Sequence, residues 1–274
     1  MFFESLLVLS VLVVILIFFY KQAVTEFRIL QVDSLEKAQP LLSERNPIVV
    51  LPAPTPQQFW TRADLESRPT LANSLYNGVK LRDALTQDSF FLKPDSAESL
   101  SQKAGLTVWI QQQIVPTFRS ASWWTPCLLS RSEVAIGAQG LRQTYGYTTI
   151  LMATDGAIQV SLLNPSANPY LPEKWKGKRL NRLTRDDAPF LSQIQCIDVI
   201  VRPGSALLIP PHWKVCWENL DSKITAMVVW AEIHHPLSWF LYRMAERRST
   251  SKLSRPSRPH PPPRENDPRP RLPS

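Results

Sequence analysis

The hydrophobic pattern of this chain changes period three times. Phe2 to Tyr20 is apolar almost without interruption, broken by Glu4, Ser5 and Ser10. As a helix its 19 residues reach about 28 Å, close to the roughly 30 Å hydrocarbon core of a bilayer. Beyond it the apolar runs shorten. Ile48-Val49-Val50-Leu51 reads as a buried strand closed by Pro52 and Pro54. Pro56 to Arg68, with Phe59, Trp60, Ala63 and Leu65 apolar, reads as a helix. A second helix, capped at Asp95 or Ser96, extends to about Ile114 with Gly105 as its weak point. Trp109 and the pair Trp123-Trp124 are expected in a core, since large aromatics mostly serve packing.

From Val134 the period becomes that of strands. Val134 to Gly137 and Thr148 to Met152 are followed by Asp155-Gly156, a strong hairpin signal, and by Ile158 to Leu163 with Gln159 and Ser161 alternating. Asn164 to Pro172 is a loop, and the polar, basic stretch Glu173 to Asp187 a surface excursion. Ile197 to Val201 then turns at Arg202-Pro203-Gly204-Ser205 into Ala206 to Ile209, which stops at Pro210-Pro211. A third segment carries Trp213, Val215 and Trp217. Ile224 to Ile233 is the last strand, followed by His234-His235-Pro236 and a short amphipathic helix to about Arg247. This is the rhythm of a compact all-β barrel with flanking helices.

The stretch Val199-Ile200-Val201-Arg202-Pro203-Gly204-Ser205-Ala206-Leu207-Leu208-Ile209-Pro210-Pro211-His212-Trp213-Lys214-Val215 resembles the penultimate hairpin of the Jumonji-type, cupin-like iron/2-oxoglutarate dioxygenases. The resemblance covers about residues 46 to 235 and is sharp between Arg202 and Asn219. It implies a mainly β (α+β) domain, a double-stranded β-helix of the cupin or jelly-roll kind with flanking helices, preceded here by one transmembrane helix. It also implies a site of two imidazoles and one carboxylate that uses Fe(II) and 2-oxoglutarate. This chain departs from that pattern at each position. Val215 stands where the family has an iron-binding His, and Leu141 to Thr154 contains no His, Asp or Glu to supply the other two ligands in any register. Ile158 stands where some members carry a Lys for 2-oxoglutarate. The expectation is a retained framework without dioxygenase chemistry, with no catalytic residue, metal or cofactor.

Two alternatives stay open at this level. A relocated metal site could draw on His212, Cys216, Glu218, His234 and His235, giving a hydroxylase with displaced ligands. A type II membrane transferase fits the short anchor followed by a domain, with Asp186-Asp187 as its acidic pair. Arg142, Lys214 and His212 are the candidates for holding a ligand: Lys214 replaces an aromatic beside the expected barrel mouth, and with Arg142 it would suit a small anion.

Composition and charge locate the remainder. At 274 residues and 44% hydrophobic content the chain can bury one sizeable core. Cys127, Cys196 and Cys216 are odd in number and scattered, which indicates neither a disulfide framework nor a thiolate zinc site. The formal charge of +8 is concentrated at the end: nine Lys or Arg face three Asp or Glu from Arg243 to Ser274, leaving about +2 elsewhere. Residues 249–274, with eight prolines from Pro256 onward, are expected to be a disordered Arg/Pro-rich tail. Such a tail suits anionic lipid or a proline-reading domain, and it lacks the interleaved aromatics of specific nucleic-acid recognition. Residues 1–21 are read as an uncleaved signal-anchor, because Glu4 precedes the apolar run and no small-residue cleavage site follows it. Lys21, Arg28 and Lys37 beyond the run favour a cytosolic domain, residues 46–248, joined through a connector at 22–45. The functional expectation is a membrane-anchored, catalytically inactive cupin-like module that binds or scaffolds an unknown protein or small anionic ligand.

Overall fold

The computed structural model describes residues 2–21, 28–54, 60–87, 89–90, 92–119, 128–172, 174–183, 191–221, 224–236 and 238–244. Trp123, Trp124, Cys127, the Asp186-Asp187 pair, the start of the helix expected at Pro56 and the tail lie outside these residues.

The strands are β1 (Leu30–Val32), β2 (Ile48–Val50), β3 (Leu75–Tyr76), β4 (Val79–Lys80), β5 (Ser89–Phe90), β6 (Leu129–Gly137), β7 (Gln139–Gln143), β8 (Thr148–Asp155), β9 (Ile158–Leu163), β10 (Cys196–Val201), β11 (Ala206–Ile209), β12 (Lys214–Asn219) and β13 (Met227–His234). They build a seven-stranded sheet in the order β1-β2-β11-β8-β13-β6-β5 and a four-stranded sheet in the order β10-β9-β12-β7, with β3 and β4 as a separate hairpin. All pairings are antiparallel apart from β1 with β2. From β6 to β13 the chain visits the large, small, large, small, small, large, small and large sheet in turn. The result is a mixed α+β body dominated by antiparallel sheet.

Alternation along the strands divides the interior in two. On β8, Ile150 and Met152 pack with the helical half of the chain, while Leu151 and Ala153 face the small sheet. On β13, Val229 and Ala231 take the first side, Val228 and Trp230 the second. Both faces of the large sheet are therefore covered, and its central strands read as unbroken apolar runs. Between the sheets Trp217 stacks on Trp230 with ring centroids 5.9 Å apart, and the Trp217 Nε1 donates to the Gly137 carbonyl at 3.1 Å.

The helical expectations are redistributed. In the described part of the first, Arg62–Ser67 is helical. The second runs from Pro94 to Lys103 and ends where Gly105 takes φ +83°, after which Leu106–Trp109, a π turn at Ile110–Ile114 and Val115–Phe118 continue as separate pieces. Trp109 packs edge-on against Trp60, whose Nε1 donates to the Ala104 carbonyl at 2.8 Å. The expected connector at 22–45 carries a strand and a helix. Leu30–Val32 extends the large sheet beside β2, and a helix, α2 (Leu35–Leu41), buries Leu35 and Ala38 in the core.

Residues Phe2–Lys21 form α1. Its side chains are described contiguously from Glu4 to Ile15, twelve residues or about 18 Å of helix, and Leu6 to Ile15 are exposed on all faces of it. Among the described residues no helix is long and apolar enough to cross a membrane.

Candidate functional site

The space between the sheets ends in charge. On β6, Glu133 lies opposite Trp230 and Arg131 opposite Glu232; on β8, Thr149 lies opposite Glu232. Directly paired residues share a face, so Arg131, Glu133, Thr149, Glu232 and His234 continue the inward row begun by Ala135, Leu151 and Trp230. From the small sheet Arg142 joins them, because it pairs with Val215 and Val215 is an inward residue.

The charged groups pair with one another, while Thr149 Oγ1 and His234 Nδ1 are buried without a hydrogen-bond partner among the described residues. Glu133 accepts from Arg142 Nη2 at 2.6 Å and pairs with Arg131 Nη2 at 3.3 Å, while Arg131 Nε reaches Glu98 at 3.1 Å. The Arg142 guanidinium lies 4.2 Å from the Trp230 ring centroid. Glu232 and His234 Nε2 are 3.2 Å apart. Burial alone would push the Glu232 carboxyl up. The hydrogen bond and charge of His234, with the guanidiniums of Arg142 and Arg131, overcome that and hold it below the ordinary range. The helical residues 238–244 close this end with aromatics: Trp239 and Tyr242 lie 5.2 and 5.4 Å from His234, and Tyr242 lies 5.2 Å from the Arg131 guanidinium. Tyr145, packed on Tyr242, has its phenol pushed up by burial and by Glu232.

The residues singled out from sequence do not assemble into one pocket. Val215 and Ile158 are fully buried among the apolar side chains between the sheets. Arg142 faces the same space. Lys214, one residue before Val215, points the opposite way and lies with its Nζ 5.0 Å from the Trp175 ring centroid. It is 1% exposed, and burial lowers its pKa from 10.5 to about 8. The shared anion site expected for Arg142 and Lys214 is thus replaced by two separate settings on opposite faces of β12. His212 occupies the turn before β12 with φ 70°, its backbone N–H donating to the Thr144 carbonyl.

The candidates for a relocated metal are equally dispersed. Cys216 lies on the outer face of the small sheet with Leu141, Leu163 and Leu183, where burial pushes its thiol up to about 12. Glu218 shares that face by strand alternation, His234 lies between the sheets, and His235 packs its ring on Tyr147 at 4.5 Å. Among the described residues no group of three His, Cys, Asp or Glu side chains is placed to hold a metal ion.

Arg131, Glu133, Glu232 and His234 form the charged end of the inter-sheet space, yet sequence reasoning reached only His234, and that as a metal ligand. The available signal was charge at alternate positions, Arg131 and Glu133 leading into an apolar strand and Glu232 ending another, which marks inward-facing charges at one end of a sheet.

No family model matches the chain, and no curated protein matches it. Among solved structures, a crystal structure of Fe(II) HppE in complex with substrate is similar over 38% of this chain and 46% of that one, at 6% identity and a TM-score of 0.25. A likeness that slight carries no argument about this chain.

Proposed function

We propose that this chain is a membrane-anchored, double-stranded β-helix protein of the cupin or Jumonji kind, in which packing has replaced dioxygenase chemistry, and that it serves as a binding or scaffold module. The strand order supports the architecture: β6, β13, β8 and β11 adjoin in one sheet and β7, β12, β9 and β10 in the other, as two interleaved antiparallel layers require. The observation that carries the loss of chemistry is the ion pair of Arg142 with Glu133. Arg142 sits across from Val215, and its guanidinium is spread over Trp230 where a metal and a co-substrate would need room.

The anchor reading rests on α1, whose twenty residues would measure about 30 Å and whose apolar side chains from Leu6 to Ile15 are exposed. The flanking charges then put the body in the cytosol.

The full chain, purified in detergent, is expected to take up no stoichiometric iron and to show no 2-oxoglutarate-dependent turnover. Clear uptake with turnover would establish the displaced-ligand hydroxylase instead. In sealed membranes the chain should resist alkaline extraction, and protease added from the cytosolic side should reach the body.

A further inference from the structure

In the connection from β9 to β10, residues 174–183 lie against the outer face of the small sheet and are a built surface. Gly177 N–H donates to the Leu141 carbonyl at 2.9 Å and Leu141 N–H to the Lys178 carbonyl at 2.8 Å, so the connection adds itself to the outer edge of β7. The backbones meet so closely that a Cβ on Gly140 would lie 2.0 Å from the Gly177 oxygen. Trp175 is turned inward beside Leu180 against the small outer core and lies over the Lys214 ammonium. Pinning this Trp leaves its neighbours Lys174 and Lys176 pointing outward, with Arg182 exposed further along. Residues 174–182 carry five basic side chains and no acidic one.

We propose that this loop, through Lys174, Lys176 and Arg182, docks on the anionic headgroups of a bilayer surface. All three cations are exposed rather than set in a pocket, which suits a plane of phosphates and carboxylates better than a small enclosed anion. Trp175 is half-buried and engaged within the fold, so among the described residues 174–183 no fully exposed ring is offered for base stacking, the feature a single-stranded nucleic acid would use. Basic side chains beside an anionic leaflet each strengthen attachment about fivefold. The inference rests on the anchor reading for bringing the bilayer near.

Amine footprinting of the full chain reconstituted in vesicles tests it. Acetylation of Lys174 and Lys176 should be several-fold slower on phosphatidylserine-containing vesicles than on phosphatidylcholine alone. High salt should abolish the difference, and exposed Lys80 on the separate hairpin should serve as an unchanged reference. Arg182→Glu should reduce the protection roughly fivefold or more. Equal labelling on both vesicles overturns the proposal, as does protection by a single-stranded RNA oligonucleotide with none by vesicles. Alkaline extraction scores the anchor separately. If the chain is released but anionic vesicles still protect Lys174 and Lys176 from solution, the loop reading stands without the anchor; if protection is also lost, both fail.

Discussion

Replacing Glu133 by Gln removes the carboxylate that two guanidiniums share while keeping the shape of the side chain. In the intact protein Glu133 is 6% exposed and lies 2.6 Å from Arg142 and 3.3 Å from Arg131. Breaking a buried pair from one side costs about 3–5 kcal/mol, because the partner charge stays desolvated. Two features place this case near the lower end. The Arg142 side chain is 31% exposed and can recover some hydration, and Arg131 keeps Glu98. A loss of about 3 kcal/mol is therefore expected, lowering the melting temperature by roughly 6–12 °C for a body of this size. Urea unfolding followed by circular dichroism, on the full chain in detergent, measures it. The double variant Glu133→Met with Arg142→Met should recover most of the loss, since apolar replacement of both partners removes the desolvation cost with the attraction. A Glu133→Gln loss under about 1 kcal/mol, or a double variant weaker than the single one, would refute the idea that this pair fills and stabilises the end of the inter-sheet space.

Lys214→Met should stabilise the protein at neutral pH by about 1–2 kcal/mol, the relief of a buried ammonium less its attraction to the Trp175 ring. Because the folded pKa is about 8 against 10.5 unfolded, the unfolded chain binds more protons between those values. Wild-type stability should rise with pH across that window, and the rise should be smaller in Lys214→Met, as parallel urea titrations would show. Gly140→Ala should cost on the order of 2 kcal/mol or more, since its Cβ collides with Gly177 backbone rather than a movable side chain, and trypsin should then cut faster within 174–182. Val215→His puts an imidazole into a fully buried apolar setting across from Arg142. It should lose about 2 kcal/mol in urea unfolding and gain no iron in a metal-binding titration.

Strands β9, β10 and β12 of the small sheet and the hairpin turns were legible because their chemistry is local, whereas the polar β7 was not. Ile158–Leu163 and Ala206–Ile209 stand where alternation and turn residues put them. What escaped was set by distant partners. Leu30–Val32 has three residues and a parallel partner reached through α2, and no short-range pattern announces such a pairing. The β6 strand begins at Leu129, although polar residues precede Val134, because Ser132 finds the hydroxyls of Ser101 and Thr107 and Arg131 and Glu133 find each other. Arg142 was legible as an interior cation. Its use as a partner for Glu133 required knowing that β6 and β7 belong to different sheets.

The charges between the sheets also bear on where the proposed binding role could be carried. Arg131 and Arg142 supply two fixed positive charges there and Glu133 and Glu232 two negative ones, with the part-exposed Glu98 a third carboxylate on Arg131 at the edge. A site meant to hold an anion keeps surplus positive charge, and one meant to hold a cation keeps surplus carboxylate. Each guanidinium here is already held by a carboxylate, and displacing either arginine for a ligand would leave a carboxylate desolvated at a cost of several kcal/mol. Under the binding role proposed above, recognition therefore falls to the exterior. There the loop over the small sheet presents cations held outward by an inward tryptophan, and the interior serves as the rigid support that holds them.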